Sequence, residues 1–103
     1  MKIAVAAVRK NETSEIAPQA GRAPYYLIFN ENGELLETIS NPFRVGGGGA
    51  GFGVAKMLAE KGIDVVIAER FGMNMISALE DRKLKHYEKK GAVKEAVRQV
   101  TKK

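Results

Sequence analysis

Three arginines and a run of glycines are the residues of this chain whose chemistry is best suited to holding an anion. Arg22, Arg44 and Arg70 each carry a permanently charged, rigid fork of donors. Residues 41–53 read NPFRVGGGGAGFG, so Gly46, Gly47, Gly48, Gly49, Gly51 and Gly53 fall within thirteen positions. Glycines bring backbone N–H groups close to a ligand, and the helix expected after them favours negative charge at its start. The segment RFGMN adds Gly72 and Asn74 beside Arg70. Each of these residues also has a plainer use. A lone arginine is usually half of a surface ion pair, Asn41 before Pro42 can hold a turn, and Asn74 can cap a helix.

Other chemistries find little support. The glycine run lacks the Gly-Lys-Ser/Thr of a phosphate loop. It also follows a third strand, whereas a dinucleotide fingerprint belongs to a first strand–helix turn, and its acidic partner would have to be Glu69. A nucleotide-binding use of the loop therefore ranks as an alternative. Cysteine is absent, which excludes disulfides, thiolate catalysis and thiolate-held iron–sulfur clusters. The single histidine, His86, has no base or ligand set near it in sequence, and no serine sits in a nucleophile elbow. The run KIAVAAV carries no carboxylate for a two-metal nuclease. Met73 and Met75 could offer soft sulfur, but read better as a pocket wall or core. Tyr25, Tyr26, Phe29, Phe52 and Phe71 read as core. The expectation is a protein that is not an enzyme.

The 103 residues suit one domain, 1–103, and 45% apolar content suits a packed core. No run reaches the ~18 apolar residues of a membrane span. The stretch MKIAVAAVRKNE reads as a strand rather than a secretion signal, and the expected location is cytoplasmic. Charge is uneven. Residues 1–81 hold eight Lys/Arg against ten Asp/Glu, whereas residues 82–103 hold nine against Glu88 and Glu95. A nucleic-acid-binding module could use such an end, yet only Tyr87 is there to stack on bases. A solvated helix face is the simpler reading, and nucleic acid is not the expected partner.

The elements that must position the arginines follow from periodicity. Lys2–Val8 is an apolar run typical of a strand buried on both faces. Ala23–Asn30 and Glu34–Ser40 flank Asn32-Gly33 and form a hairpin. The second of these alternates poorly, as an edge strand can, and its Glu34 and Glu37 discourage open-ended pairing. Val54, Met57 and Leu58 mark a helix that Lys61-Gly62 stops. Ile63–Ala68 is a strand, GMNMISALEDR a helix, Leu84–Tyr87 a strand and GAVKEAVRQVTKK a helix with a stripe of Val93, Ala96, Val97 and Val100. The order β-β-β-α-β-α-β-α with right-handed crossovers predicts an α/β fold. It is a three-layer α/β/α arrangement around a mixed five-stranded sheet of order 3-2-1-4-5, with strand 2 antiparallel. The glycine loop then sits at the carboxyl edge of the sheet, where open α/β sheets bind ligands, and not between domains.

Five stretches in this order resemble the dinitrogenase iron–molybdenum cofactor biosynthesis family, which includes NifX, the cofactor-binding part of NafY and the carboxyl-terminal domain of NifB. They are MKIAVAA, GRAPYYLIF at 21–29, Asn41-Pro42 before the glycines, VAKMLAEKGIDVVIAERFGMN at 54–74, and YEKKGAVKEAVRQV. The resemblance implies a ribonuclease H-like fold without nuclease residues. It also implies non-catalytic binding or carriage of an anionic iron–sulfur–molybdenum cluster, the iron–molybdenum cofactor or its precursor. Metallocluster-assembly proteins would be the partners. Carried across, the binding region spans Gln19–Arg22, Asn41–Gly51 and Arg70–Asn74. The family often has His-Phe-Gly-Arg where this chain has Gln19-Ala20-Gly21-Arg22, and a histidine where it has Phe43. Arg22 and the glycines are thus what remains for the cluster. Small stand-alone relatives also occur outside nitrogen fixation, so a protein-interaction or anion-binding domain is the alternative.

Overall fold

The computed structural model describes residues 1–45 and 49–101. The five strands are β1 (Lys2–Ala7), β2 (Tyr25–Asn30), β3 (Leu35–Ser40), β4 (Val65–Ala68) and β5 (Lys85–Glu88). The helices are α1 (Ala50–Glu60), α2 (Met73–Asp81) and α3 (Val93–Thr101). The sheet order is β3-β2-β1-β4-β5, with β2 antiparallel to both neighbours and β1, β4 and β5 parallel. This is the predicted three-layer α/β/α arrangement.

β1 is central because it can afford no polar face: Ile3 to Ala7 are completely buried. Its alternate side chains feed two cores. Ala4 and Ala6, with Tyr26, Ile28 and Val66, pack beneath Val54, Leu58, Met75 and Leu79 of α1 and α2. Ile3 and Val5, with Leu27, Phe29 and Ile67, pack against Val93, Ala96 and Val97 of α3. Burying each valine of that stripe contributes about 1.5–3 kcal/mol, before the ordering cost is subtracted.

The poor alternation of β3 has a structural cause. Phe29 pairs with Leu35 and Ile28 with Glu37, so Leu36 falls into a bulge. The extra residue switches faces along the strand. Leu35 joins the α3-side core and Ile39 the opposite one, leaving Leu36 49% exposed. β4 starts two residues later than expected because Ile63 belongs to the stop of α1. Gly62 (φ 76°) donates to the Ala59 carbonyl and Ile63 to that of Leu58, the bond pair of a glycine-terminated helix. No helix among the described residues is long and apolar enough to cross a membrane.

Candidate functional site

Right-handed crossovers place the starts of α1 and α2 at the carboxyl edge, next to the long β1–β2 loop. That loop is tied down by backbone bonds: Ala17 donates to Ala6, Glu69 to Ala17, and Ala20 to the Arg70 carbonyl at 3.0 Å. The hydroxyl of Tyr26 donates from below to the Ala20 carbonyl. Complete burial pushes this phenol far above its ordinary value, so it stays a donor.

Asn41 fastens the third wall. It is 1% exposed, and its Nδ2 donates to the carbonyls of Gly21 (3.1 Å) and Ala23 (2.9 Å). Its Oδ1 accepts from the Phe43 N–H at 2.9 Å, closing the turn around Pro42. Arg22 Nη1 reaches the Phe43 carbonyl at 3.0 Å. The Phe43 ring lies against Gly53, where a Cβ would come within 2.4 Å of it. At Gly51 a Cβ would lie 2.9 Å from the Cβ of Met75, so α1 and α2 approach closely only because this position is glycine.

These contacts enclose a cleft of about 450 Å³ lined by Gln19–Arg22, Ala50–Gly51 and Arg70–Met75. Arg22, Gly51, Arg70, Gly72 and Asn74 thus line one cleft. Asn41 stands behind the wall, occupied with backbone, and Arg44 and Gly49 lie outside the lining. Gly46, Gly47 and Gly48 fall outside the described residues. Met73 and Met75, read from the sequence as pocket wall or core, are both in the wall: Met73 is 87% exposed and Met75 buried.

Two sequence expectations change here. Asn74 does not cap α2; Gly72 holds the N-cap position, with no side-chain cap bond, and Asn74 lies within the first turn. Phe52 is not core but 51% exposed. Its neighbours Gly51 and Gly53 occupy the inward positions, against Met75 and Phe43, and turn Phe52 outward.

The charged side chains in the cleft lining are both cationic, Arg22 and Arg70. Both helices start at glycine N-caps, Gly49 and Gly72, with neither a capping side chain nor an acid in the first turn. Helix geometry leaves first-turn N–H groups without intrahelical partners, and the dipoles add partial positive charge. Arg22 and Arg70 stand beside them and no lining residue is acidic; the Glu88 carboxylate, outside the lining, accepts from the N–H of the lining residue Phe71 at 3.2 Å. His86 is behind the wall, edge-on to Phe71 with ring centroids 5.0 Å apart. Among the described residues no group of three or more His, Cys, Asp or Glu could hold a metal ion. The cleft can therefore receive an anion through N–H and guanidinium donors, with the Met73 thioether as its soft atom.

Solved structures share this frame. The apo form of the orange protein from Desulfovibrio gigas has a TM-score of 0.89 and 24% identity, covering 96% of this chain and 85% of that one. A candidate NifB protein from Thermotoga has a TM-score of 0.81 and 28% identity, with coverage of 97% and 86%. A candidate dinitrogenase from Methanocaldococcus jannaschii has a TM-score of 0.65 at 15% identity, with coverage of 98% and 88%. No curated protein matches the chain in sequence. Residues 1–103 match the family described as dinitrogenase iron-molybdenum cofactor, and the chain belongs to that family.

Proposed function

We propose that this protein is a non-catalytic binder or carrier of an anionic iron–sulfur or iron–sulfur–molybdenum cluster, taken up as cargo in the cleft at the carboxyl edge. The observation that carries the reading is the convergence of two uncapped helix starts with Arg22 and Arg70 on one acid-free cleft. Arg22, Arg70, Gly51, Gly72 and Asn74 line it, Asn41 holds its loops, and Arg44 and Gly49 stand outside its lining. Family membership and the likeness to a candidate NifB protein support a metallocluster as the anion. With no cysteine in the chain and His86 behind Phe71, the cargo is held through its outer sulfur and oxygen atoms rather than by thiolate or imidazole bonds to iron. We read the frame as ribonuclease H-like; its central strand, KIAVAA, carries no acid for hydrolysis.

The test is anaerobic titration with an isolated cluster precursor, using two variants that spare the fold. Arg70 is exposed, and only its backbone carbonyl supports the neighbouring loop. Arg70→Ala should therefore weaken binding about ten- to a hundredfold, the loss of one charge-assisted bond worth roughly 1.5–3 kcal/mol. Gly72 has φ −75° and ψ 157°, which any residue adopts, and a Cβ there would meet nothing within 4 Å. Gly72→Asp puts a good N-cap and a negative charge in the cleft together. It should keep or slightly raise stability, by a few tenths of a kcal/mol, while weakening the cargo complex. Absence of binding by the wild type, or equal binding by all three proteins, overturns the proposal.

A further inference from the structure

One carboxylate reaches the cleft wall from behind and is not part of the lining. Glu88 is the last residue of β5, and its Oε2 accepts the Phe71 N–H at 3.2 Å. Phe71 lies between Arg70, which lines the cleft, and Gly72, the N-cap of α2. The register explains the reach. In β5, His86 pairs with Val66 and Glu88 with Ala68, two residues of the core beneath α1 and α2, so alternation turns both side chains toward that layer. His86 meets the Phe71 ring edge-on, and Glu88 takes the Phe71 N–H. The Lys89 N–H donates to the Ala68 carbonyl at 3.0 Å and keeps the end of β5 beside β4.

We propose that Glu88 is the positioning residue of the α2 start: by holding the Phe71 N–H, it keeps Arg70 and the first-turn N–H groups of α2 in place at the cleft. On its other side this segment is tied to the β1–β2 loop, where Glu69 donates to Ala17 and the Arg70 carbonyl accepts from Ala20. Those bonds stop at Arg70, and the ladder of α2 begins with Ile76 donating to Gly72 at 3.0 Å. The Phe71 N–H is the link between them, and Glu88 is the side chain that holds it. Packing does not replace it at Gly72, where even an added Cβ would meet nothing within 4 Å. Without the bond, the α2 start samples positions that do not match the cargo. Apparent affinity then falls with the fraction of molecules in the matching one. The cleft needs an acceptor from Glu88 and not its charge, because a negative charge behind an anion site opposes the cargo. The effect on binding rests on the cargo reading, whereas the hold on Phe71 does not.

The experiment compares wild type, Glu88→Gln and Glu88→Ala by amide exchange followed by NMR and by anaerobic titration with the isolated cluster precursor. The glutamine offers a carbonyl oxygen at the same reach without the charge, and the alanine offers no acceptor. Glu88 is exposed, so both variants should stay folded, with amide spectra unchanged away from the start of α2. Exchange of the Phe71 amide should quicken about two- to tenfold in Glu88→Ala, as for the loss of one hydrogen bond, and match wild type in Glu88→Gln. Cluster affinity should fall by a similar factor in Glu88→Ala and equal or exceed wild type in Glu88→Gln. Equal exchange in all three proteins overturns the hold on Phe71. So does exchange raised equally in both variants, because the charge would then be responsible and not the bond. Equal cluster binding by wild type and Glu88→Ala overturns the positioning and leaves the cargo reading intact. Absence of binding by the wild type overturns the cargo reading and the positioning that rests on it, while the exchange difference separately decides the hold on Phe71.

Discussion

Tyr26 is the residue on which the floor of the cleft rests. Its ring is completely buried, and its hydroxyl supports the Ala20 carbonyl in the cleft wall. Tyr26→Phe leaves that carbonyl without its buried donor and should cost about 1–2 kcal/mol near neutral pH. The pH dependence has a definite sign. Burial raises the phenol of the folded protein above its ordinary value of 10.0, while the unfolded chain ionises near that value. The stabilisation is therefore complete below about pH 10 and declines as pH rises beyond it, by up to about 1.4 kcal/mol per pH unit. Urea midpoints measured from neutral to strongly alkaline pH should show wild type above Tyr26→Phe at first, with the gap closing above pH ~10. A constant gap would rule out this role. Neither this bond nor the Asn41 clamp was legible in the sequence. Tyr26 read as core and Asn41 as a turn residue, because partners 6 and 18–20 positions away leave no local pattern.

Elements were far more legible than contacts, because apolar periodicity and turn glycines are local signals. Gly62 announced the end of α1. The end of α2 has the same bonds without the glycine: Lys83 donates to Glu80 and Leu84 to Leu79, and Lys83 sits at φ 62°. A side chain in that region costs about 1–2 kcal/mol, so Lys83→Gly should stabilise the protein by about 0.5–1 kcal/mol once backbone entropy is subtracted. Thermal melting should rise accordingly, and an unchanged or lower midpoint would contradict this account of the terminus. The bulge at Leu36 was hidden because a one-residue register shift looks the same as weak alternation in the sequence. The outward turn of Phe52 was hidden because it depends on which glycine faces which helix. The site is intermediate between these cases. Its arginines and glycines could be named from their chemistry, but only the fold decides that Arg22 and Arg70 reach the cleft wall and Arg44 does not.

At the scale of the molecule, two positive regions compete for an anionic partner, and their construction differs. The carboxyl edge gathers cations around a concave site without acids. The carboxyl-terminal region is richer in lysine, but its charges are interrupted. Arg98 is held by Glu95 at 2.6 Å, Lys89 Nζ donates to Gln99 at 2.9 Å, and the groove beside α3 is lined by Glu12 and Glu95 as well as Lys94 and Arg98. Tyr87, 42% exposed, is the aromatic residue at this end, so bases have little to stack on. A polyanion gains affinity by releasing counterions along a continuous cationic track, whereas a compact anion gains it from a few converging donors. The protein should therefore bind neither duplex nor single-stranded nucleic acid with micromolar affinity at physiological salt. Any binding at low salt should vanish steeply as salt rises. Neutralising Lys89, Lys90, Lys94 and Arg98 should leave cluster binding unchanged, while Arg70→Ala should leave the residual nucleic-acid signal unchanged. Micromolar binding at physiological salt that the fourfold variant loses would move the function from the carboxyl edge to α3, because a track interrupted by Glu95 and Gln99 would then be sufficient.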